Sequence, residues 1–189
     1  GRDAGGRRLT MAGPLSHLRV LDLGRIMAAP WATQILADLG AEVIKIEAPP
    51  GGDVSRATGP WFLGEGDSQF FQTFNLNKRS LRLDLKDPHG REVFERLVAT
   101  ADAVMNNLRG DQPAKLRIDF AALGEIKPAI VCAHLSAYGR DNERAAWPGY
   151  DYLMQAEAGF MSLTGEPDGA AGGGPQKVGV AVADLMTGM

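Results

Sequence analysis

Apolar residues in the first third of the chain fall into short runs separated by turns rich in Gly and Pro. Leu18 to Leu23 is a β-compatible run. Pro30 then opens a segment in which Trp31, Ile35, Leu36 and Leu39 recur at helical spacing. Gly40 stands where a glycine commonly follows a helix end. Glu42 to Glu47 alternates like a strand. Strand, helix and strand fit within about 30 residues, the length of a βαβ unit. Ala48 to Gly66 then predicts a long surface loop, of a length usually found in functional or mobile segments.

The alternation repeats in a second unit. Ser80 to Asp84 reads as a strand, and Asp87 followed by Pro88 predicts a capped helix with proline at its first position. Val93, Phe94, Leu97 and Val98 form its expected buried stripe. Ala101 to Met105 predicts a further strand, Asp119 to Ile126 a short helix, and Ala129 to Leu135 another strand. Pro148 to Phe160 reads as one helix with Leu153, Met154 and Ala158 inward. Thr164 to Gln176 is a Gly-rich loop, and Val178 begins a final apolar segment. Helices alternating with strands through short connections predict an α/β fold with a mostly parallel sheet.

Composition narrows the function classes. The 189 residues are 44% hydrophobic and 23% charged, with a formal net charge of -3. That balance gives no case for nucleic acid or an anionic membrane as partner. No apolar run approaches the roughly 20 residues of a membrane helix, and no signal-peptide pattern is present. The single cysteine, Cys132, fits a reducing, cytoplasmic setting, and its apolar neighbours predict a buried, inert thiol. Residues 1–13 read as a disordered extension or cloning remnant, with Met11 a plausible native start. Residues 14–189 read as the folded part.

Candidate chemistry is sparse. The turn from Gly24 to Pro30 lacks G-x-G-x-x-G, so a dinucleotide is weakly specified, and Glu47 reads as an ordinary strand-end charge. Lys78 and Arg79, Lys86, and Arg109 with Lys115 follow strand ends, where anions bind in α/β proteins. They suggest an anionic, phosphate-bearing ligand, although for Lys78 and Arg79 a solvated basic turn is the better reading. His17, His89 and His134 show no metal-ligand spacing, and no G-x-S-x-G is present, so no metal site is expected. Asp22, Asp151 and Asp184 remain as carboxylates in Gly-rich or apolar surroundings. Asp184 lies in the segment Val180 to Met189, where it reads as a helix N-cap.

The ordered set LRVLDLGRIMAAPWATQILADLGAEVIKIEAPPGGDVSR, FNLNKRSLRLDLKDPHGRE, ADAVMNN, SAYG, PGYD and VAVADLMTGM resembles the family III CoA-transferases of CaiB/BaiF type. That superfamily includes formyl-CoA transferase, carnitine CoA-transferase and α-methylacyl-CoA racemase. The match runs from about Pro14 to Met189 and covers the N-terminal half of a usual member. The resemblance implies a large Rossmann-like domain, a smaller second domain absent here, and two chains threaded into an interlocked homodimer. The expected activity is transfer of CoA between an acyl-CoA and a carboxylic acid. A truncated chain of this kind is expected to lack turnover.

The resemblance also assigns residues. The catalytic Asp falls on Asp184. CoA contacts carry over to Met27 and Ala28, to Leu83, Asp84, Leu85 and Lys86, to Asn107, Leu108 and Arg109, to Lys115, and to Ser136, Ala137, Tyr138 and Gly139. Tyr150 and Asp151 correspond to a strip lining the acyl site. Ala48 stands where several members place an Arg beside the adenine. Tyr150 stands where the racemase branch has a catalytic His, and a phenol with a reference pKa near 10 is a poor proton shuttle at neutral pH. That departure favours transfer over racemisation. The remaining alternatives are a racemase or isomerase of the same superfamily, an NAD(P)-dependent oxidoreductase, and a non-catalytic fragment.

Overall fold

The computed structural model describes residues 13–189. The expected extension, Met11 included, lies outside the described residues except for Gly13, which packs against Leu39 and Gly40. In chain order the strands are β1 (Arg19–Asp22), β2 (Glu42–Glu47), β3 (Phe62–Gly64), β4 (Asp67–Ser68), β5 (Arg79–Arg82), β6 (Ala103–Asn106) and β7 (Val131–His134). The helices are α1 (Ala28–Asp38), α2 (Gln69–Thr73), α3 (Pro88–Val98), α4 (Gln112–Lys115), α5 (Phe120–Leu123), α6 (Asp151–Glu157), α7 (Phe160–Thr164) and α8 (Val182–Gly188).

The main sheet has the order β5-β2-β1-β6-β7, and every neighbouring pair runs parallel. The chain builds outward from β1 to β5, then returns to the other side of β1 for β6 and β7. Such a reversal opens a crevice beyond the carboxyl ends of the two strands where it occurs, here β1 and β6. Both faces of the sheet are covered, so successive residues of β1 are buried on opposite sides. Leu21 joins Phe94, Val98, Val104, Ile118 and Leu123 in one cluster, while Val20 joins Ala37, Ala41 and Val43 in the other. The mostly parallel α/β architecture expected from the sequence is thereby present.

Local signals held where one element decides the outcome. The Asp87 carboxylate accepts from His89 N and Gly90 N, and Pro88 occupies the first helical turn of α3. Packing decided the rest. Val93 of the expected stripe is exposed, while Phe94 and Val98 are fully buried. Helix α1 begins at Ala28, before Pro30. Its buried face is Ala28, Ala29, Pro30, Thr33, Gln34 and Ala37, not the four larger residues of the expected stripe. The helix is wedged between the sheet and α8, so its inner side takes small residues, with Trp31 half-buried beside Phe74.

Two further expectations are corrected. The single helix expected from Pro148 to Phe160 is broken at Gly159, which adopts φ 75° and separates α6 from α7. The left-handed conformation ends the first helix at little steric cost to a glycine. The segment from Ala48 to Gly66 is not merely loop. Asp53 caps a 3-10 turn over Val54–Ala57, accepting from Ser55 N, and β3 pairs with β4 in a small antiparallel hairpin. No helix among the described residues is long and apolar enough to cross a membrane.

Candidate active site

Two cavities open at the carboxyl ends of the strands. The first, about 250 Å³, has an apolar floor of Leu23, Ile46, Leu83, Leu85, Leu108 and Leu116. Arg25, Asp84, Lys86 and the turn through Pro49, Gly52 and Asp53 complete its walls. The second, about 320 Å³, is lined by Ala28, Asn107, Ser136, Ala137, Tyr150, Met154, Ala183, Asp184 and Thr187, among others. Asn107 belongs to one and its neighbour Leu108 to the other, so the cavities meet beyond β6 at the topological switch point. A partly apolar recess thus lies next to a cleft whose wall bears a carboxylate.

Asp184 is half-buried in the wall of the second cavity. It lies in the first turn of α8 and is not the N-cap; that position is Ala181, which has no capping side chain. The missing cap comes from a distant residue. Asp151 Oδ1 accepts from Ala183 N at 2.7 Å and from Asp184 N at 3.2 Å. Asp151 Oδ2 accepts from Gln155 Nε2 at 2.5 Å. The buried Gln155 also accepts from Val178 N at 2.9 Å through Oε1. The amides that open this helix therefore serve Asp151 and not the Asp184 carboxylate. Burial, and secondarily the Asp151 charge, push the Asp184 carboxyl above its ordinary value.

Beneath the cavities lies a set of buried charges. The alternation of β2 puts Lys45 and Glu47 on the same buried side as Val43. Lys45 Nζ pairs with Asp53 at 3.0 Å and donates to Gly24 O at 2.8 Å. Lys78 Nζ donates to Asp22 at 2.9 Å, and Asp22 lies 4.0 Å from Lys45. Burial, offset in part by Asp22 and reinforced by Lys45, lowers the Lys78 ammonium to about 8. Asp53 accepts from Ile26 N at 3.2 Å, which secures a turn in which Ile26 has φ 64°. Positive φ is a genuine outlier for a β-branched residue and persists only where the surroundings impose it.

Glu47 completes this layer. It bonds Arg56 at 2.7 Å, Ser80 Oγ at 2.6 Å and Asp53 N at 2.9 Å. Burial works to raise its carboxyl, but these donors outweigh burial and hold it down at about 2. The ordinary strand-end charge read from the sequence is in fact the anchor of the loop after β2. Lys78 is likewise not a solvated basic turn, since its ammonium is consumed inside the protein. Arg79 remains exposed and pairs with Glu42.

The expected site residues that line a cavity divide into two groups. Leu83, Asp84, Leu85, Lys86 and Leu108 line the first cavity, and Ala28, Asn107, Ser136, Ala137, Tyr150 and Asp184 line the second. Met27, Arg109, Lys115, Tyr138 and Gly139 line neither. Met27 is buried at the start of α1, and Arg109 and Lys115 both pair with Asp111. Asp151, expected to line the acyl site, directs both carboxylate oxygens into hydrogen bonds with α8 and Gln155 instead. Cys132 is half-buried, and burial raises its thiol, as suits an inert side chain. The sequence reading missed Lys45, Asp53 and Gln155. For Lys45 a signal existed, because a strand that alternates around buried Val43 places a lysine on the inner face.

The sheet order and the cleft at its switch point define a Rossmann-like α/β domain that presents a carboxylate to the second cavity. More specifically, the chain belongs to CoA-transferase family III, whose family model matches residues 15–189. It is 45% identical over 181 residues to the succinate–glutarate CoA-transferase of Agrobacterium fabrum, covering 93% of this chain and 44% of that protein. It is 38% identical over 178 residues to the acetyl-CoA:oxalate CoA-transferase of Acetobacter aceti, covering 94% and 44%. The crystal structure of a CaiB/BaiF family protein from Brucella suis superposes with a TM-score of 0.86 at 41% identity, covering 94% of this chain and 47% of that one. The chain thus spans less than half the length of these relatives.

Proposed function

We propose that this chain carries the nucleophile and the CoA-facing surface of an acyl-CoA:carboxylate CoA-transferase. The observation that carries the reading is Asp184: a half-buried carboxylate in a cleft wall, accepting no hydrogen bond from any described residue. An anion kept from full hydration and left without donors is a better nucleophile than a solvated carboxylate. The relatives' printed names, which pair CoA esters with succinate, glutarate or oxalate, favour a short dicarboxylic acid as acceptor.

In this mechanism the Asp184 carboxylate attacks the thioester carbonyl, the C–S bond breaks, and CoA leaves as the thiolate. The product is a mixed anhydride between Asp184 and the acyl group. Thiolate then attacks the Asp184 carbonyl, releasing the donor acid as its carboxylate and leaving an aspartyl-CoA thioester. The acceptor carboxylate attacks that thioester, breaking the C–S bond, expelling CoA thiolate and forming a second anhydride; the thiolate then attacks its acyl carbonyl and the Asp184 carboxylate leaves. New acyl-CoA and free Asp184 result, with no net proton consumed. Each tetrahedral oxyanion needs donors. Because Asp151 holds the Ala183 and Asp184 amides, those donors come from elsewhere than the start of α8.

The proposal extends to a homodimer acting in the cytoplasm, with a second domain completing the site. Leu163 and Met186, on the last two helices, are exposed apolar side chains. The deciding experiment is mass spectrometry of the full chain incubated with acyl-CoA and hydroxylamine. Covalent modification is expected at Asp184 and should vanish in Asp184→Ala while CoA binding persists. Modification at Asp151 instead would overturn the assignment.

A further inference from the structure

We infer that Asp151 is the positioning residue for Asp184: it caps the nucleophile's helix from another element and leaves the Asp184 carboxylate free of backbone donors. The inference rests on the transferase reading for its consequence in catalysis, and on hydrogen-bond geometry for its substance. A helix N-cap ordinarily accepts from the amides two or three residues on. Ala181 has no side-chain oxygen to do so, and the amides in question are those of Ala183 and Asp184. Asp151 Oδ1 takes both, from more than 30 residues earlier in the chain. Gln155, one turn further along α6, holds the other Asp151 oxygen and also accepts from Val178 N. Together the two side chains fix the strand of backbone that delivers Asp184 to the cleft.

The arrangement has an electrostatic consequence. A carboxylate at position 184 with access to its own helix amides would be a stabilised, weakly basic anion. With Asp151 bound there, Asp184 instead faces a second negative charge. Other charged groups do not offset this. Of the elements packed on α8, α1 carries a single charged side chain, Asp38 in its last turn, which accepts from Asn77. Besides Asp151, α6 contributes Tyr152 and Glu157, the latter paired with Arg144, and Tyr150 precedes its first turn. The described residues therefore place no cation against Asp184, and Asp151 is the charge that governs it.

The test uses the full chain with three measurements. Asp151→Asn keeps an oxygen acceptor for the two amides and removes the charge; Asp151→Ala removes both. Single-turnover acylation by acyl-CoA is expected to fall about tenfold to a hundredfold in Asp151→Ala, as for a nucleophile displaced by about an ångström. The dissociation constant for CoA should stay unchanged, and Asp151→Asn should lose less of the rate than Asp151→Ala. In Asp151→Asn the acid limb of the acylation pH profile is expected to move to lower pH. Carbon-13 NMR of the Asp184 carboxyl, assigned with Asp184→Asn, should show the same downward movement without any turnover. An unmoved Asp184 titration in Asp151→Asn, or unmodified acylation in Asp151→Ala, overturns the inference. Failure to label Asp184 in the unmodified chain overturns the transferase reading alone, because the NMR titration still decides the role of Asp151.

Discussion

Asn107 grips the backbone of Arg25 with both ends of its amide: Oδ1 accepts from Arg25 N at 2.7 Å and Nδ2 donates to Arg25 O at 2.8 Å. The pairing ties the segment after β6 to the segment after β1, across the point where the strand order reverses. Arg25 lines the first cavity and Asn107 the second. Asn107→Ala should therefore loosen the Arg25 turn without unfolding the sheet. Each lost hydrogen bond of this kind is worth about 1 kcal/mol, so CoA affinity should fall about fivefold to thirtyfold. Isothermal titration with CoA checks this, and an unchanged affinity would show that the turn is held by Asp53 and Lys45 alone.

The Glu47 ion pair predicts a pH dependence of stability. The folded carboxyl sits at about 2 against an ordinary value of 4.5, so the unfolded chain binds the proton more readily. The associated stability is fully present above the ordinary value and is lost as pH falls from about 5 toward 2. Its size is about 2 to 3 kcal/mol, allowing for water on the loop side of Arg56. Urea midpoints measured at intervals between neutral pH and pH 3 should fall, and Glu47→Gln should flatten that slope.

Removing one partner from the buried charges should be costly. Lys45→Met leaves Asp53 without its ammonium and strips Gly24 O of its donor. Breaking one side of a buried pair typically costs about 3 to 5 kcal/mol. The same change should weaken CoA binding, because Asp53 also holds the Ile26 turn. Denaturant melts read the first effect and titration the second; a stable, fully binding Lys45→Met protein would contradict both.

Helix α8 approaches α1 through Gly188. A Cβ there would stand 2.6 Å from Ala28 O and 2.7 Å from Trp31 Cδ1. Gly188→Val should push the two helices apart at about 1 to 3 kcal/mol. Because Ala28 and Asp184 line one cavity, acylation of Asp184 should fall by more than that loss of stability explains. Comparing the acylation rate with the melting temperature separates the two effects.

Tyr150 at the mouth of the second cavity is half exposed and stacks in parallel on Tyr152, with ring centroids 5.9 Å apart. A phenol in that place is a poor proton shuttle. A 2-methylacyl-CoA incubated with the full chain in deuterated water should gain no α-deuterium. Exchange at a rate matching acyl transfer would restore the racemase alternative.

Much of the fold was legible in local pattern. The EVIKIE alternation matched β2 residue for residue, and Asp87 with Pro88 marked the start of α3, because each depends on neighbours a few positions away. Strands alternating with helices were enough to expect a parallel sheet. The site was legible only in part. Ala28, Leu83 to Lys86, Asn107, Leu108, Ser136, Ala137 and Asp184 come together around the two cavities, yet Arg109 and Lys115 turn to Asp111, which sits within a few residues of both. Their charges suggested an anion; the nearest carboxylate had the prior claim.

By itself the sequence determined which segments extend, which coil, and which carboxylate lies at the end of an apolar run, since those follow from side-chain period and from chemistry within one turn. Only the tertiary structure decided what surrounds each charge. Glu47 became an anchor and Lys78 a buried donor. The amides that open α8 went to Asp151, because electrostatic energy depends on distance in space and on exclusion of water. Neither quantity is written in the spacing of residues along the chain.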